Sequence, residues 1–334
     1  MKRKENLPPL TAAKGFVYSA GMAKSAAPGK NKRTNPSAHA RHYALAGSML
    51  EASAAAAGLY LVATPIGNLR DITLRALETL AAVDVIACED SRVTRKLTEH
   101  YGIATPLTSY HEHNAAEARP KLLARLAAGQ SVALVSDAGT PLISDPGYKL
   151  VRAAAEAGHA IVALPGASAA LAAVSVAGLP TDRFFFEGFL PPKQAARQKR
   201  IAALGGIPAT LVLFETGPRI AEALADLAAG LGAREAAICR ELTKLHEETR
   251  RSTLDALARD YAQGAETRGE FAIVIAPPRE KEPRTDEVDD LLRRALARGS
   301  VKDAVGEVAL ATGRSRREVY QRALSLAKDA GDAR

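Results

Sequence analysis

The stretch SVALVSDAGTPLISDPG (131–147) passes from a short apolar run directly into a loop of Gly, Pro, Ser and Asp. An apolar run of this length bounded by turn residues reads as a strand buried on both faces. The loop after it has too few apolar side chains to form a core of its own. Gly139, Pro141, Pro146 and Gly147 instead surround two carboxylates, Asp137 and Asp145. Helix capping or turn formation accounts easily for Asp145 and less easily for Asp137.

The same alternation continues in both directions. Upstream lie LYLVA (59–63), a helical period near 72–82, VDVIAC (83–88), a helix near 92–100, PLTSY (106–110) and a helix near 114–128; downstream come a helix near 148–157, AIVAL (160–164) and a helix near 167–177. Short β-rich runs separated by helices imply βαβ units around a mainly parallel sheet, which defines a first α/β domain over 58–180. After Gly178-Leu179-Pro180 the alternation resumes with RFFFEGFL (183–190), ATLVLFE (209–215), EAAICREL (235–242) and EFAIVIA (270–276), a second α/β domain over 181–276. PPREKEPRTDE (277–287) reads as a charged linker, and 288–334 as a small helical domain. Within it, Gly313 as a turn and Ser315 as an N-cap give 301–326 the outline of a helix-turn-helix. The fold class is therefore α/β: two α/β domains and a C-terminal helical domain.

Residues 1–57, rich in Ala, Ser, Lys, Asn and Pro, show no sustained apolar period and read as a disordered basic extension, with internal start candidates at Met22 and Met49. Removing it through residue 48 is expected to leave the melting temperature unchanged. The extension holds nine Lys/Arg and two Glu, so nearly all of the net charge of +8 resides there and the remainder is close to neutral. Global charge therefore says nothing about nucleic acid, and only local patches can. Two distant cysteines, Cys88 and Cys239, offer neither a CxxC site nor a disulfide framework. No apolar stretch is long enough for a membrane span or a signal-peptide core, so a cytoplasmic protein without membrane partners is expected.

Ligands of open α/β sheets collect at the carboxyl ends of the strands. Besides 136–147, TPIGNL (64–69) puts Pro65 and Gly67 in a tight turn, and LPGASAALAA (164–173) opens a helix at small residues that leave backbone N–H groups free. None is a dinucleotide or Walker loop, and the acidic-x-Gly-x-Gly-x-Gly signature of the commonest SAM-binding fold is absent.

LVATPIGNLRDIT (61–73), ACEDSRVTRKL (87–97), LVSDAGTPLISDPG (134–147), LPGASA (164–169), FFFEGFLP (184–191), LFETGPRI (213–220) and RELTKLHEE (240–248), in this order, resemble the ribosomal RNA small subunit methyltransferase I family of the tetrapyrrole-methylase superfamily. The resemblance spans about 58–276, more weakly the tail, with Arg70 and Ser91 departing from the family pattern. It implies two tetrapyrrole-methylase-type domains with S-adenosyl-L-methionine (SAM) in the cleft between them. It also implies a homodimer, and 2′-O-methylation of a decoding-centre cytidine of 16S rRNA in the 30S subunit. By motif, Asp137, Gly139, Leu142, Ala167, Ser168, Phe214, Phe271 and Ala272 become SAM contacts, beside Pro65 and Gly67 of the first loop.

Methyl transfer from a sulfonium is a displacement in which positioning dominates and a base assists. Base candidates are Glu89 and Asp90, each with an ion pair to Arg92 or Arg95 as the alternative, and His111 in SYHEHN (109–114), where capping or solvated side chains are the alternative. His111-x-His113 lacks a third ligand, so no metal is expected. For RNA phosphate the candidates are Arg92, then Lys193, Arg197, Lys199 and Arg200 of PPKQAARQKR, then Arg314, Arg316 and Arg317 of GRSRREVYQR, with a solvated helix face as the plain alternative. A tetrapyrrole C-methyltransferase would share the cleft but need neither basic run. A non-catalytic RNA-binding assembly factor retaining the pocket is the third possibility.

Overall fold

The structure, a computed structural model, describes residues 39–278 and 285–331. Strands β3 (Gly58–Val62), β4 (Val85–Cys88), β5 (Leu107–Ser109), β6 (Ser131–Val135) and β7 (Ile161–Leu164) form a sheet in the order β5-β4-β6-β3-β7. All its pairings are parallel. Helices α1 (Leu74–Ala82), α2 (Ser91–His100), α3 (Ala115–Ala127) and α4 (Tyr148–Glu156) connect them. Because β3 and β6 are neighbours but not consecutive, the crevice above their carboxyl ends is the topological switch point, where such sheets bind ligands.

The second sheet runs β11-β10-β12-β9-β8, from β8 (Phe184–Phe189), β9 (Thr210–Thr216), β10 (Glu235–Arg240), β11 (Glu248–Thr253) and β12 (Glu270–Ile275). Only β8 and β9 are parallel, with a bulge between Phe186 and Gly188. α6 (Gln194–Leu204), α7 (Ile220–Leu231) and α8 (Leu254–Ala262) pack their apolar stripes in one core with this sheet. The other face is covered by α5 (Ala169–Ala177), whose Ala170, Ala173, Val174 and Ala177 lie against Val212, Ala237, Cys239, Ala272 and Val274. α5 thus starts from the third loop of the first sheet and packs on the second, which ties the two sheets to one cleft.

Two boundaries differ from the sequence reading. The extension carried through residue 57 ends earlier, because β1 (His42–Leu45) and β2 (Ser48–Glu51) form an antiparallel hairpin. Ala46 and Gly47 turn it with positive φ of 50° and 80°. Tyr43 and Leu45 pack on the core of the first domain, the Ala44 N–H donates to the Tyr101 carbonyl at 2.6 Å, and Arg41 pairs with Asp84 at 3.2 Å. Removal through residue 48 therefore takes away contacts of the fold. The part of the extension before residue 39, with Met22, lies outside the described residues. At the other end, α9 (Thr285–Leu296) begins inside the stretch read as linker, whose residues 279–284 lie outside the described ones. With α10 (Val301–Thr312) and α11 (Arg316–Gly331) it encloses a small core of Val288, Leu292, Val305, Val308 and Val319. Gly313 caps α10 at φ 68°, and at the start of α11 the Glu318 N–H donates to the Ser315 hydroxyl at 3.3 Å and the Ser315 N–H to the Glu318 carboxylate at 3.2 Å, a capping box.

Candidate active site

The three loops singled out in the sequence meet. Thr64 and Gly139 exchange backbone hydrogen bonds at 2.9 and 3.0 Å, the Thr64 hydroxyl donates to the Ser136 carbonyl, and the Thr140 hydroxyl donates to the Ala167 carbonyl at 3.1 Å. The approach is close: a Cβ on Gly166 would stand 2.7 Å from the Ala63 Cβ, and one on Gly139 3.2 Å from the Ile66 side chain. Facing these loops across a cavity of ≈ 280 Å³ are the ends of β9 and β12, the residues after β10, and Phe189 at the end of β8.

The cavity is chemically divided. Ile66, Phe189, Phe214, Leu242, Phe271 and Ala272 give it apolar wall, and the Phe214 ring meets Phe186 and Phe189 edge-on at 5.0 and 5.8 Å. Asp137, Thr140, Ser168 and Asp145 supply polar groups from the first domain, and Glu215, Glu241, Lys244 and Glu270 from the second. Of the expected SAM contacts, Asp137, Gly139, Ser168, Phe214, Phe271 and Ala272 line the cavity; Pro65, Gly67, Leu142 and Ala167 do not. Leu142, at φ 74°, packs on the core beneath the loop, Ala167 serves through its carbonyl to Thr140, and Gly67 lies against the Lys244 stem. A Cβ on Gly67 would stand 2.3 Å from Lys244 Cγ, so any larger residue there makes the lysine stem shift where the two walls meet.

The second-domain acids all have cations beside them. Lys244 donates to Glu241 at 2.8 Å and to Glu270 at 2.6 Å, which favours the charged form of Lys244 and, despite some burial, of Glu241. Glu215 is buried, accepts the Thr216 N–H at 2.9 Å, and has Arg219 3.2 Å from its other oxygen, too poorly aligned to hydrogen-bond. Burial outweighs that cation and pushes the Glu215 carboxyl up. On the first wall, Asp137 forms no ion pair among the described residues; it accepts the Asp90 N–H at 2.9 Å. Asp145 has none either, and burial, followed by the Glu89 and Asp137 charges and opposed by a Ser136 hydrogen bond, pushes its carboxyl up to about 6.

None of the three base candidates lines the cavity. Asp90 caps α2 and pairs with Arg92 at 2.6 Å; hydrogen bonds from the Arg92 side chain and backbone hold its carboxyl down to about 2. Glu89 is raised by burial and the Asp137 charge. The His111 loop is tied by Asn114, which accepts the His111 N–H at 2.8 Å and donates to the Ser109 carbonyl. Among the described residues no three His, Cys, Asp or Glu side chains are arranged to hold a metal, and no described helix is long and apolar enough to cross a membrane.

The basic run 191–200 is corrected in part. Arg197, expected at RNA, is buried: its Nε donates to Asp226 at 2.7 Å and its guanidinium also reaches the Pro192 carbonyl. It shares the inward stripe of α6 with Ile201 and Leu204. Arg200 is held on Glu187 by two hydrogen bonds, at 2.5 and 2.6 Å. Lys193 and Lys199 are exposed, as are Arg316 and Arg317, which flank a groove with Lys302 and Tyr320. Arg314 faces Asp289 and Glu318, and Arg322 is paired with Asp289 at 2.5 Å.

A parallel sheet with a ligand crevice at its switch point faces a second, mixed sheet, and family matches say which class of protein this is. The model of the Tetrapyrrole (Corrin/Porphyrin) Methylases matches residues 58–258, and that of the RsmI C-terminal HTH domain matches 282–327. "Ribosomal RNA small subunit methyltransferase I" of Mesorhizobium japonicum is 52% identical over 275 residues, 82% of this chain and 94% of that protein. The protein of the same name from Pseudomonas aeruginosa is 44% identical over 274 residues, 80% of this chain and 96% of its own. The chain belongs to the ribosomal RNA small subunit methyltransferase I family. A crystal structure of diphthine synthase (TM-score 0.52, 20% identity, 65% of this chain, 89% of that one) and one of a conserved hypothetical protein from Aeropyrum pernix K1 (0.51, 21%, 83% and 98%) share its fold.

Proposed function

We propose that this chain transfers a methyl group from SAM to the ribose 2′-hydroxyl of a decoding-centre cytidine of 16S rRNA, acting on the 30S subunit in the cytoplasm as a homodimer. The observation that carries this is the division of the cleft in a member of this family: aromatic and apolar side chains at one part, a carboxylate without an ion pair among the described residues and hydroxyls at another.

These residues fit a cationic nucleoside. Phe214, Phe271, Ala272 and Leu242 offer an aromatic base dry contact. Asp137, with one oxygen bound to a backbone N–H and no ion pair among the described residues, suits an ammonium or sulfonium charge. Ser168, the N-cap of α5, presents a hydroxyl and the first N–H groups of the helix to a carboxylate. When bound, SAM supplies an electrophilic methyl group on a positively charged sulfur. The loops over β3, β6 and β7, mutually hydrogen-bonded, hold the acceptor site rigid, which is the main demand of an in-line displacement.

Lys193, Lys199, Arg316 and Arg317, exposed on α6 and α11 and at their starts, supply cations for phosphate, and Arg92 stands beside the first wall with its charge shared with Asp90. The matched HTH domain gives the tail a role that a tetrapyrrole methylase has no need of. Incubating 30S subunits lacking the modification with methyl-labelled SAM, then digesting the 16S rRNA to nucleosides, tests the assignment. Label in 2′-O-methylcytidine is the expected result, and label absent from the rRNA or on a base would overturn it.

A further inference from the structure

Methyl transfer to a hydroxyl leaves one proton to be removed, and each cavity carboxylate can be asked whether it is free to take it. Glu241 and Glu270 share Lys244, and Glu215 lies beside Arg219 with its other oxygen on the Thr216 N–H. Asp137 accepts from Asp90 and is the group suited to the ligand's positive charge. Glu89, Asp90 and His111 do not line the cavity, and Asp90 is bound to Arg92 by its side chain. Asp145 is left: it lines the cavity and, among the described residues, forms no ion pair. The Ser136 hydroxyl near it donates to the carbonyls of Ala138 and Gly139, each at 3.2 Å.

The backbone around Asp145 is built to hold it there. Leu142 and Ser144 both take the left-handed conformation, at φ 74° and 65°, which side chains with a Cβ disfavour and which collects at functional sites. The loop rests on the bulge of β8, where a Cβ on Gly188 would stand 2.8 Å from the Ser144 hydroxyl, and it turns into α4 through Gly147 at φ 138°. Two strained residues just ahead of one cavity carboxylate have no counterpart at Asp137.

We propose that Asp145 is the general base of the transfer, accepting the proton of the attacking ribose hydroxyl; this rests on the acceptor being a hydroxyl, as proposed above. In the step, a carboxylate oxygen of Asp145 takes the proton, the electron pair of the O–H bond forms the new O–C bond, and the S–C pair stays on sulfur. A carboxylate and a sulfonium become a carboxylic acid and a thioether, and the proton then passes to water. The groups facing Asp145 are Glu89 behind it, Asp137 beside it, and Glu215, Glu241, Lys244 and Glu270 across the cavity. The nearest are acids, so a carboxyl titrating near neutrality is matched to its task.

The test uses the full chain, unmodified 30S subunits and SAM. Asp145→Asn should slow single-turnover transfer at least 100-fold while the calorimetric Kd for SAM stays within threefold. The wild-type rate should rise with pH to a plateau above about 6, a limb absent from the variant, and Asp145→Glu should recover part of the rate. A variant within tenfold of wild type, or one keeping the limb, overturns the proposal. Carbon-13 NMR of the wild-type carboxyls reads the same group without turnover. An Asp145 signal titrating near 6 and moving down when SAM binds supports the base, and one titrating in the ordinary range and indifferent to SAM overturns it. If wild-type enzyme gives no methylated rRNA, the acceptor assignment has failed, and the carboxyl titration still decides for or against Asp145.

Discussion

The two walls of the cleft carry similar numbers of acidic groups in opposite states. On the second-domain wall Lys244 bridges Glu241 and Glu270, and Arg219 stands by Glu215. On the first-domain wall Asp137 and Asp145 form no ion pair among the described residues, and Arg92, which acts on Asp137 only at a distance, is paired with Asp90. Unpaired carboxylates in a cavity repel one another and lose hydration, which a fold tolerates where a ligand or a proton transfer uses them. Paired ones are a means of joining loops. The comparison assigns chemistry and cation recognition to the first wall and closure to the second.

Among the effects on SAM affinity, the largest should follow loss of recognition. Asp137→Ala removes a charge-assisted contact and should weaken SAM binding at least tenfold, about 1.4 kcal/mol, in calorimetry. Unchanged affinity in a folded variant would take cation binding away from this wall. A smaller effect is expected where the walls touch. Gly67→Ala would place a methyl 2.3 Å from Lys244 Cγ, and because that side chain can give way, SAM affinity should fall only about three- to tenfold, roughly 1 kcal/mol. A loss equal to that of Asp137→Ala would mean closure matters as much as charge.

The smallest effect concerns stability and has a defined pH dependence. The Asp145 carboxyl is raised in the folded chain, so folding is penalised where the unfolded group is ionised, and the penalty grows as pH rises from about 4 to about 6. Asp145→Asn removes it. Discounted for partial exposure, the gain should be about 1 kcal/mol, or roughly 2–4 °C in melting temperature, at pH 7, and should vanish near pH 4. A gain that persists at pH 4 would point to packing instead of charge.

The first wall could be read from the sequence; of the second, only Phe214, Phe271 and Ala272 were named, by resemblance, and its charged groups were not. Each first-wall loop is a continuous strand-loop-helix segment whose Gly, Pro and Asp content is visible locally, and the switch point then brings 64–69, 136–147 and 164–173 together. Glu215, Glu241, Lys244 and Glu270 come from three separate strand ends, and only the antiparallel pairing of β12 with both β9 and β10 makes them neighbours. Arg197 was misplaced although a signal existed: Arg197, Ile201 and Leu204 recur at i, i+4 and i+7, one helix face, and acids on α7 at the same spacing, Glu222 and Asp226, meet it. The hairpin 42–51 was hidden because four-residue strands around Ala46-Gly47 are too short to stand out in an Ala- and Ser-rich stretch.

The division between the walls is tested most directly by single-turnover methyl transfer to unmodified 30S subunits, at saturating SAM, for Asp145→Asn and Lys244→Met side by side. Loss of the unpaired first-wall acid should slow the step at least 100-fold at unchanged SAM affinity. Loss of the bridging lysine should weaken SAM binding and leave the saturated rate within about tenfold of wild type. A saturated rate that collapses with Lys244→Met and survives Asp145→Asn would place the chemistry on the second wall and contradict the account.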